Sequence, residues 1–415
     1  MALLQRNGEP GDVGFDSTRL HRIVSHFAQY VDDGRLPGWQ IAVARQGTTV
    51  FAESYGSSDV ASGRPVAADT IFRAYSMTKP ITSVAAMILF EEGRLSLDDP
   101  VSKFIPSFAD TRVYLRGPGS SPATTPQTMP MTVFNLLTHT AGLTYGFAFA
   151  NGIDHLYRQA GFEWGTPADK TLAECCDLWA SIPLVFQPGS EWNYSVATDV
   201  LGRVVEVVSG QSLDAFFRDR ILGPLGMHDT AFWVDETRVD RLASLYLASP
   251  GTVAAQRKAV FAGAFGARPS RSPLFLSGGG GLFTTTYDYL RFAEMLRQGG
   301  ELDGTRILGP RIVKFMASNH LPDNADLTSF GRPIFAETSY DGVGFGLGVS
   351  VVLDPVKNRT PGSVGDFGWG GAASTAFWVD PVEDLSVVFM TQLMPSSVHP
   401  LRSEMKRLVH AALID

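Results

Sequence analysis

Strand-like patterns occupy both ends of this chain and helix-like patterns fill its middle, and that order constrains the fold more than any other feature. Near the start, Trp39 to Ala44 and Thr49 to Ser54 read as two strands around a Gln46-Gly47 turn, with Thr70 to Arg73 as a short third. Near the end, Gly346 to Leu353, Ala376 to Val379 and Leu385 to Gln392 alternate or run apolar, and an amphipathic helix is predicted from Leu401 to Leu413. Between them, residues 106–170 are rich in Pro, Gly, Ser and Thr, and helical patterns follow at 132–138, 171–180, 195–209 and 212–221. The pattern predicts an α+β fold: an antiparallel sheet flanked by helices, built from both chain ends and interrupted by a mostly helical second domain. The expected division is 1–100 with 251–415 as a discontinuous sheet domain, and 101–250 as a helical and loop domain.

Two helices are predicted in the first hundred residues. From Ser17 to Val31, Leu20, Ile23, Val24, Phe27 and Val31 recur at helical spacing, with Asp16 and Ser17 as candidate caps. From Ser76 to Glu92, an apolar stripe of Ile81, Val84, Ala85, Ile88 and Leu89 ends at Gly93, and Pro80 is tolerable so close to the N-terminus.

Composition removes several classes of function. Of 415 residues, 44 % are hydrophobic and 18 % charged, which fits a globular chain rather than a disordered one. A net charge of −8, with no run of basic residues, lacks the electrostatic footprint of a nucleic-acid binder. The two cysteines, Cys175 and Cys176, are adjacent and cannot staple distant segments; the eight histidines are scattered, so neither a metal nor a cofactor is expected. No apolar run of about 18 residues occurs, so no membrane association is expected, and a cytoplasmic location is the default. Composition does not set the oligomeric state.

The first chemical motif is Ser76-Met77-Thr78-Lys79, an S-x-x-K at a helix start. The i, i+3 spacing puts both side chains on one face, so a lysine amine can take the serine proton, provided it is neutral. The positive helix end favours a developing oxyanion. A second S-x-x-K, Ser403 to Lys406, lies on the terminal helix, where a charged, solvated face is expected. The spacing alone is therefore weak evidence.

Two further segments supply context: Pro188-Gly189-Ser190-Glu191-Trp192-Asn193-Tyr194-Ser195 and Gly368-Trp369-Gly370-Gly371-Ala372. With these in order, nearly the whole chain resembles the serine β-lactamase and penicillin-binding protein superfamily, specifically the class C β-lactamases and family VIII carboxylesterases. Leu136 to Leu143 and Ser277 to Leu282 resemble recurrent segments of the same group. The resemblance implies a serine β-lactamase-like fold with its active site in the cleft between the two domains. It implies Ser76 as nucleophile, Lys79 as its base, Tyr194 as shared base and acid, and the N–H groups of Ser76 and Ala372 as the oxyanion hole. Trp369, Gly370 and Gly371 would line the substrate site. Tyr145, Phe147 and Phe149, in a predicted loop after His139, either line the acyl or alcohol pocket or anchor the loop on the helical region.

The departures from class C enzymes are informative. Where those carry Y-x-N and Lys-Thr-Gly, this chain reads Tyr194-Ser195-Val196 and Trp369-Gly370-Gly371. An amide and a cation that help hold a β-lactam are missing, and an indole stands in the cation's place. The resemblance therefore implies a serine hydrolase acting on short- to medium-chain carboxylic esters, with a small-molecule ester as its partner. Acyl transfer to an alcohol, β-lactam or D-amino-acid peptide hydrolysis, and a binding protein that has lost activity are the competing readings.

Other motifs point to structure. His139 has no triad or metal partner and is expected to hydrogen-bond near the site. Gly278 to Gly281 lacks the following Lys-Ser or Lys-Thr of a phosphate loop and predicts a close backbone approach; Gly344 to Gly348 fails the dinucleotide pattern and predicts a strand entrance. No serine has glycine at both flanking second positions, which sets the α/β-hydrolase elbow aside.

Overall fold

A computed structural model of the chain describes residues 3–119, 121–163, 169–250, 257–263, 268–332 and 339–415. The N-terminal part forms α1 (Ser17–Leu20), α2 (Arg22–Asp32), β1 (Gly38–Arg45), β2 (Thr48–Asp59), β3 (Arg64–Pro65), β4 (Ile71–Arg73) and α3 (Thr78–Glu91). The middle forms β5 (Val113–Arg116), β6 (Ala123–Thr125), α4 (Val133–Leu137), α5 (Gly152–Gln159), α6 (Leu172–Ser181), α7 (Ala197–Ser209), α8 (Leu213–Phe217), β7 (Tyr246–Ala248) and β8 (Ala259–Phe261). Then come β9 (Phe283–Thr285), α9 (Thr286–Arg297), β10 (Glu301–Leu302), β11 (Thr305–Arg306), α10 (Pro310–Met316), α11 (Leu327–Phe330), β12 (Val343–Phe345), β13 (Ser350–Val352), α12 (Pro355–Asn358), β14 (Phe367–Gly370), β15 (Ala376–Asp380), β16 (Leu385–Thr391), β17 (Leu393–Met394) and α13 (Leu401–His410).

The main sheet has eight strands in the order β12-β13-β14-β15-β16-β1-β2-β3, and each paired neighbour runs antiparallel. It joins the two ends of the chain directly, with Ile41 opposite Phe389. Side chains alternate across a strand. Trp39, Ile41 and Val43 therefore pack with Ile23 and Phe27 of α2 and Met405 and Val409 of α13, while Ala42 and Ala44 join Phe377 and Phe292 on the face that α9 covers. Both faces are covered, so all eight residues of β1 are buried. The termini also meet: the Asp16 N–H donates to Ala412 O at 2.8 Å, and the Ile414 N–H to Gly14 O at 3.0 Å.

On the α9 side, one apolar cluster runs from the sheet through α3 into α4, α6, α7 and α8. Every residue of α3 from Thr78 to Leu89 is buried. The expected one-sided stripe is thus a helix covered all round. No helix among the described residues is long and apolar enough to cross a membrane.

Three expectations need correction. Residues 71–73 leave the main sheet and pair with β9, Ile71 opposite Thr285. The strand expected from Gly346 to Leu353 shortens to β13, because residues 346–349 form the reversal from β12, in which Gly348 takes a left-handed φ of 92°. The second S-x-x-K is not on a solvated face: Lys406 Nζ lies 2.6 Å from the buried carboxylate of Asp366, and Ser403 and Lys406 border the cavity described next.

Candidate active site

Ser76 sits in a single 3-10 turn, Tyr75–Met77, that leads into α3. Tyr75 takes φ of 46°, a left-handed conformation that a bulky residue adopts only when its surroundings impose it. Those surroundings are hydrogen bonds on both sides of the turn. The Ala74 N–H donates to Leu282 O at 2.9 Å, the Leu282 N–H to Thr78 Oγ1 at 3.1 Å, and Tyr289 OH of α9 to Met77 O at 2.7 Å.

One helical turn on, Lys79 is buried, and its Nζ lies 3.3 Å from Ser76 Oγ, 3.0 Å from Tyr145 OH and 2.7 Å from Gly279 O. The geometry allows the lone pair of a neutral amine to face Ser76 while its two N–H groups serve Tyr145 and Gly279. Tyr194 presents its ring to the same nitrogen, 4.5 Å from the centroid, and its OH accepts from Trp369 Nε1 at 3.3 Å. Aromatic rings surround Tyr194: His139 at 4.9 Å, Trp369 at 5.4 Å and Tyr145 at 5.5 Å between centroids. The structure thus brings Ser76, Lys79, Tyr194 and Trp369 together.

Ala372 follows β14. A Cβ on Gly371 would fall 2.3 Å from Ala74 O, so only glycine lets this strand end approach the chain beside the nucleophile. Arg402 of α13 supports the same segment. Its Nη2 donates to Gly371 O at 2.9 Å and Thr375 O at 2.8 Å, and its guanidinium fills the space a Cβ on Gly370 would need. Burial pushes Arg402 down to about 10.

Tyr145 is more than a lining residue, because its hydroxyl bonds Lys79 directly. Burial, with Tyr194 and Asp199 nearby, holds its phenol well above the usual range, so it stays neutral. Phe147 stacks on Tyr145 at 4.5 Å and lines the cavity, whereas Phe149 is 61 % exposed on the surface under Arg158. His139 is buried, its Nδ1 3.3 Å from Ser195 Oγ and Nε2 3.5 Å from Thr198 Oγ1. Burial and the charge of Lys79 keep it far below the usual histidine range, hence neutral.

Ser76, Tyr145, Phe147, Tyr194, Trp369, Gly370 and Ala372 border one cavity of about 720 Å³, whose remaining wall is mixed and includes the rings of Phe162, Trp179 and Phe275. That volume accepts a drug-sized molecule. Asp366, Asp380 and His410 bring one ligand atom each within 4.8 Å of one another, but Lys406 already pairs with Asp366 and His410 Nε2 lies 3.3 Å from Asp380 Oδ2, so these side chains already serve one another.

Sequence reading did not single out Asp199, Arg402 or the Gly279 carbonyl. Asp199 could have been noticed as a carboxylate inside the apolar pattern of α7, five residues after Tyr194.

With this geometry in view, likeness to known proteins becomes interpretable. The beta-lactamase family matches residues 23–411, and the chain belongs to it. Esterase EstB of Burkholderia gladioli is 33 % identical over 396 residues, 92 % of this chain and 93 % of that one. The lovastatin esterase of Penicillium rubens is 31 % identical over 399 residues, 92 % and 95 % of the two chains. Among solved structures, EstCE1, described as a hydrolase with promiscuous acyltransferase activity, superposes with a TM-score of 0.78 at 28 % identity, covering 95 % of this chain and 99 % of that one. Within the beta-lactamase and penicillin-binding protein superfamily, these likenesses place the chain among the family VIII esterases.

Proposed function

We propose that the chain is a serine carboxylesterase that opens short- to medium-chain esters through an acyl-enzyme on Ser76. The observation that carries this reading is Lys79 Nζ held between Ser76 Oγ, Tyr145 OH and Gly279 O, beside a cavity whose wall has Trp369 where the lactamase branch has a cation. In the proposed sequence, Ser76 Oγ attacks the ester carbonyl as its proton passes to the Lys79 amine. The N–H groups of Ser76 and Ala372 stabilise the oxyanion. Tyr194 protonates the departing alkoxide and is reprotonated by the Lys79 ammonium, so the alcohol leaves with Lys79 neutral again; water then gives a proton to Lys79 as it attacks the acyl-enzyme, and the same relay returns that proton to Ser76 Oγ as the acid is released. Trp369 Nε1–H, donating to Tyr194 OH, orients the phenol for that transfer.

The proposal extends to the architecture: a sheet unit of 1–100 and 251–415 and a helical unit of 101–250, with the site between them. It also includes a cytoplasmic location and a small-molecule ester, not nucleic acid, as partner, in keeping with the net charge of −8. The test is hydrolysis of p-nitrophenyl butyrate. Ser76→Ala is expected to lose activity by at least about a thousandfold, and wild-type turnover in that variant would overturn the reading.

A second reading, acyl transfer, draws on the apolar cavity and on the description of EstCE1. An apolar wall that disfavours water relative to an alcohol would divert the acyl group. Adding a small alcohol and measuring the ratio of new ester to acid separates the two outcomes.

A further inference from the structure

A buried carboxylate beneath the site has no part in the steps above. Asp199 lies on α7, 4 % exposed, where an unpaired charge is expensive. One of its oxygens, Oδ1, accepts from Ser277 Oγ at 2.6 Å and from the Gly279 N–H at 2.9 Å. The Gly279 carbonyl in turn accepts from Lys79 Nζ at 2.7 Å. The neighbouring peptide is fixed from the other side, with Thr82 Oγ1, one turn along α3 from Lys79, donating to Gly278 O at 2.7 Å. The other oxygen, Oδ2, lies 2.5 Å from where a Cβ on Gly279 would stand, so the glycine lets the carboxylate close on the backbone. The glycine loop is therefore clamped between α3 and α7, with the lysine on one side and the carboxylate on the other.

We infer that Asp199 is the positioning residue of the proposed catalytic lysine: it fixes the Gly279 carbonyl on Lys79 Nζ and supplies the counter-charge for the ammonium that forms when Lys79 takes the Ser76 proton. The inference rests on the Ser76 reading above. The two charges interact: burial raises the Asp199 carboxyl, and Lys79 opposes that rise. The other titratable groups facing Asp199 are Tyr145 and the α6 thiols of Cys175 and Cys176. Burial holds all three protonated and neutral at ordinary pH, with Cys175 pushed up to about 12. Asp199 is thus the carboxylate that answers Lys79.

Asp199→Asn is a charge-only probe, because both hydrogen bonds fall on one oxygen that an amide carbonyl can replace. Kinetics on p-nitrophenyl butyrate across pH 5 to 10, with thermal melting as a control, are expected to show kcat lower by about 10- to 100-fold at nearly unchanged KM. The acid limb of kcat/KM is expected to move to lower pH, since an ammonium that loses a neighbouring negative charge gives up its proton more readily. A merely structural role would lower the rate at every pH and leave the midpoint in place, and that result overturns the inference. Ser277→Ala, which keeps the charge and loosens the clamp, is expected to lower kcat about threefold to tenfold with no shift in midpoint, so a poorly folding Asn variant does not remove the test; wild-type kcat in this variant counts against the clamp. If Asp199→Asn behaves as wild type while Ser76→Ala is inactive, this inference fails alone. If Ser76→Ala is active, the reading beneath it fails as well.

Discussion

Arg402 Nη2 donates at 2.9 Å to the carbonyl of Gly371, the residue just before the proposed oxyanion donor Ala372, so the terminal helix holds the strand end that faces the nucleophile. A second bond from the same nitrogen, to Thr375 O, spans the turn after β14. Arg402→Met is therefore expected to lower kcat on p-nitrophenyl butyrate by about 10- to 100-fold, somewhat less than outright loss of an oxyanion donor, with KM within about threefold. Arg402→Lys should recover only part of the loss, because an ammonium lacks the planar fork that rests on Gly370. Steady-state kinetics of the two variants check this.

Trp369 contributes a ring to the cavity and a hydrogen bond to Tyr194 OH. Trp369→Phe keeps the ring and removes the bond; a neutral hydrogen bond worth about 1 kcal/mol predicts a fall in kcat of roughly fivefold. Trp369→Lys should lower turnover of uncharged esters while raising the efficiency of an anionic chromogenic cephalosporin relative to them by at least about tenfold. An unchanged ratio would mean that the indole does not set the substrate preference.

Asp288, at the start of α9, is buried and has its carboxyl raised to about 6, chiefly by desolvation; its Oδ2 accepts from the Asp229 N–H and Thr230 Oγ1. Because the folded value lies above the unfolded one near 3.8, the folded state holds this proton more tightly. Stability from this group is present at low pH and is lost as pH rises from about 4 through 6. Asp288→Asn keeps an acceptor and cannot ionise. Its stability relative to wild type should grow across that window to a plateau of up to about 3 kcal/mol above pH 7, read by urea denaturation at pH 4.5, 6 and 8.

The Lys406–Asp366 pair is nearly enclosed, with the lysine side chain 16 % and the carboxylate 2 % exposed. Lys406→Met strands that carboxylate and should destabilise the fold by about 3 to 5 kcal/mol. Ser403→Ala should leave ester hydrolysis within about twofold of wild type, since Ser403 Oγ donates to Pro400 O at 3.0 Å while Lys406 is engaged by Asp366. Loss of activity in Ser403→Ala would give the second S-x-x-K a chemical role.

The strands at both ends and the helix after Ser76 were legible because period-two and period-3.6 patterns are local properties of the chain. The destination of β4 was not, since Ile71 to Arg73 reads the same whether its partner is β2 or the distant Phe283 to Thr285. The same limit hid the surroundings of Lys406: its helical face is polar in sequence, and only the sheet brings Asp366 beneath it. Ser76, Lys79 and Tyr194 were findable because their segments carry recognisable spacing. Arg402 was not, because it acts through backbone carbonyls far away in sequence, and Asp199 showed only as a carboxylate within the apolar pattern of α7, its partners Ser277 and Gly279 being distant in the chain. Tyr145 was noticed as an aromatic, but its bond to Lys79 depends on a loop path that its composition does not encode.

The pairing of β1 with β16 has a consequence for the growing polypeptide. β1 is made long before Phe389, the partner of Ile41, which lies far along the chain. Until then β1 has β2 on one side and an open, apolar hydrogen-bonding edge on the other, the kind of edge that templates aggregation. A nascent chain that already carries Ser76 and Lys79 still lacks the Trp369-Gly370-Gly371-Ala372 segment and the helix that holds it. Premature termination anywhere before β16 should therefore yield protein that is inert as a catalyst and sticky as a polymer, and production of active enzyme will depend on how quickly β14 to β16 and α13 follow β1.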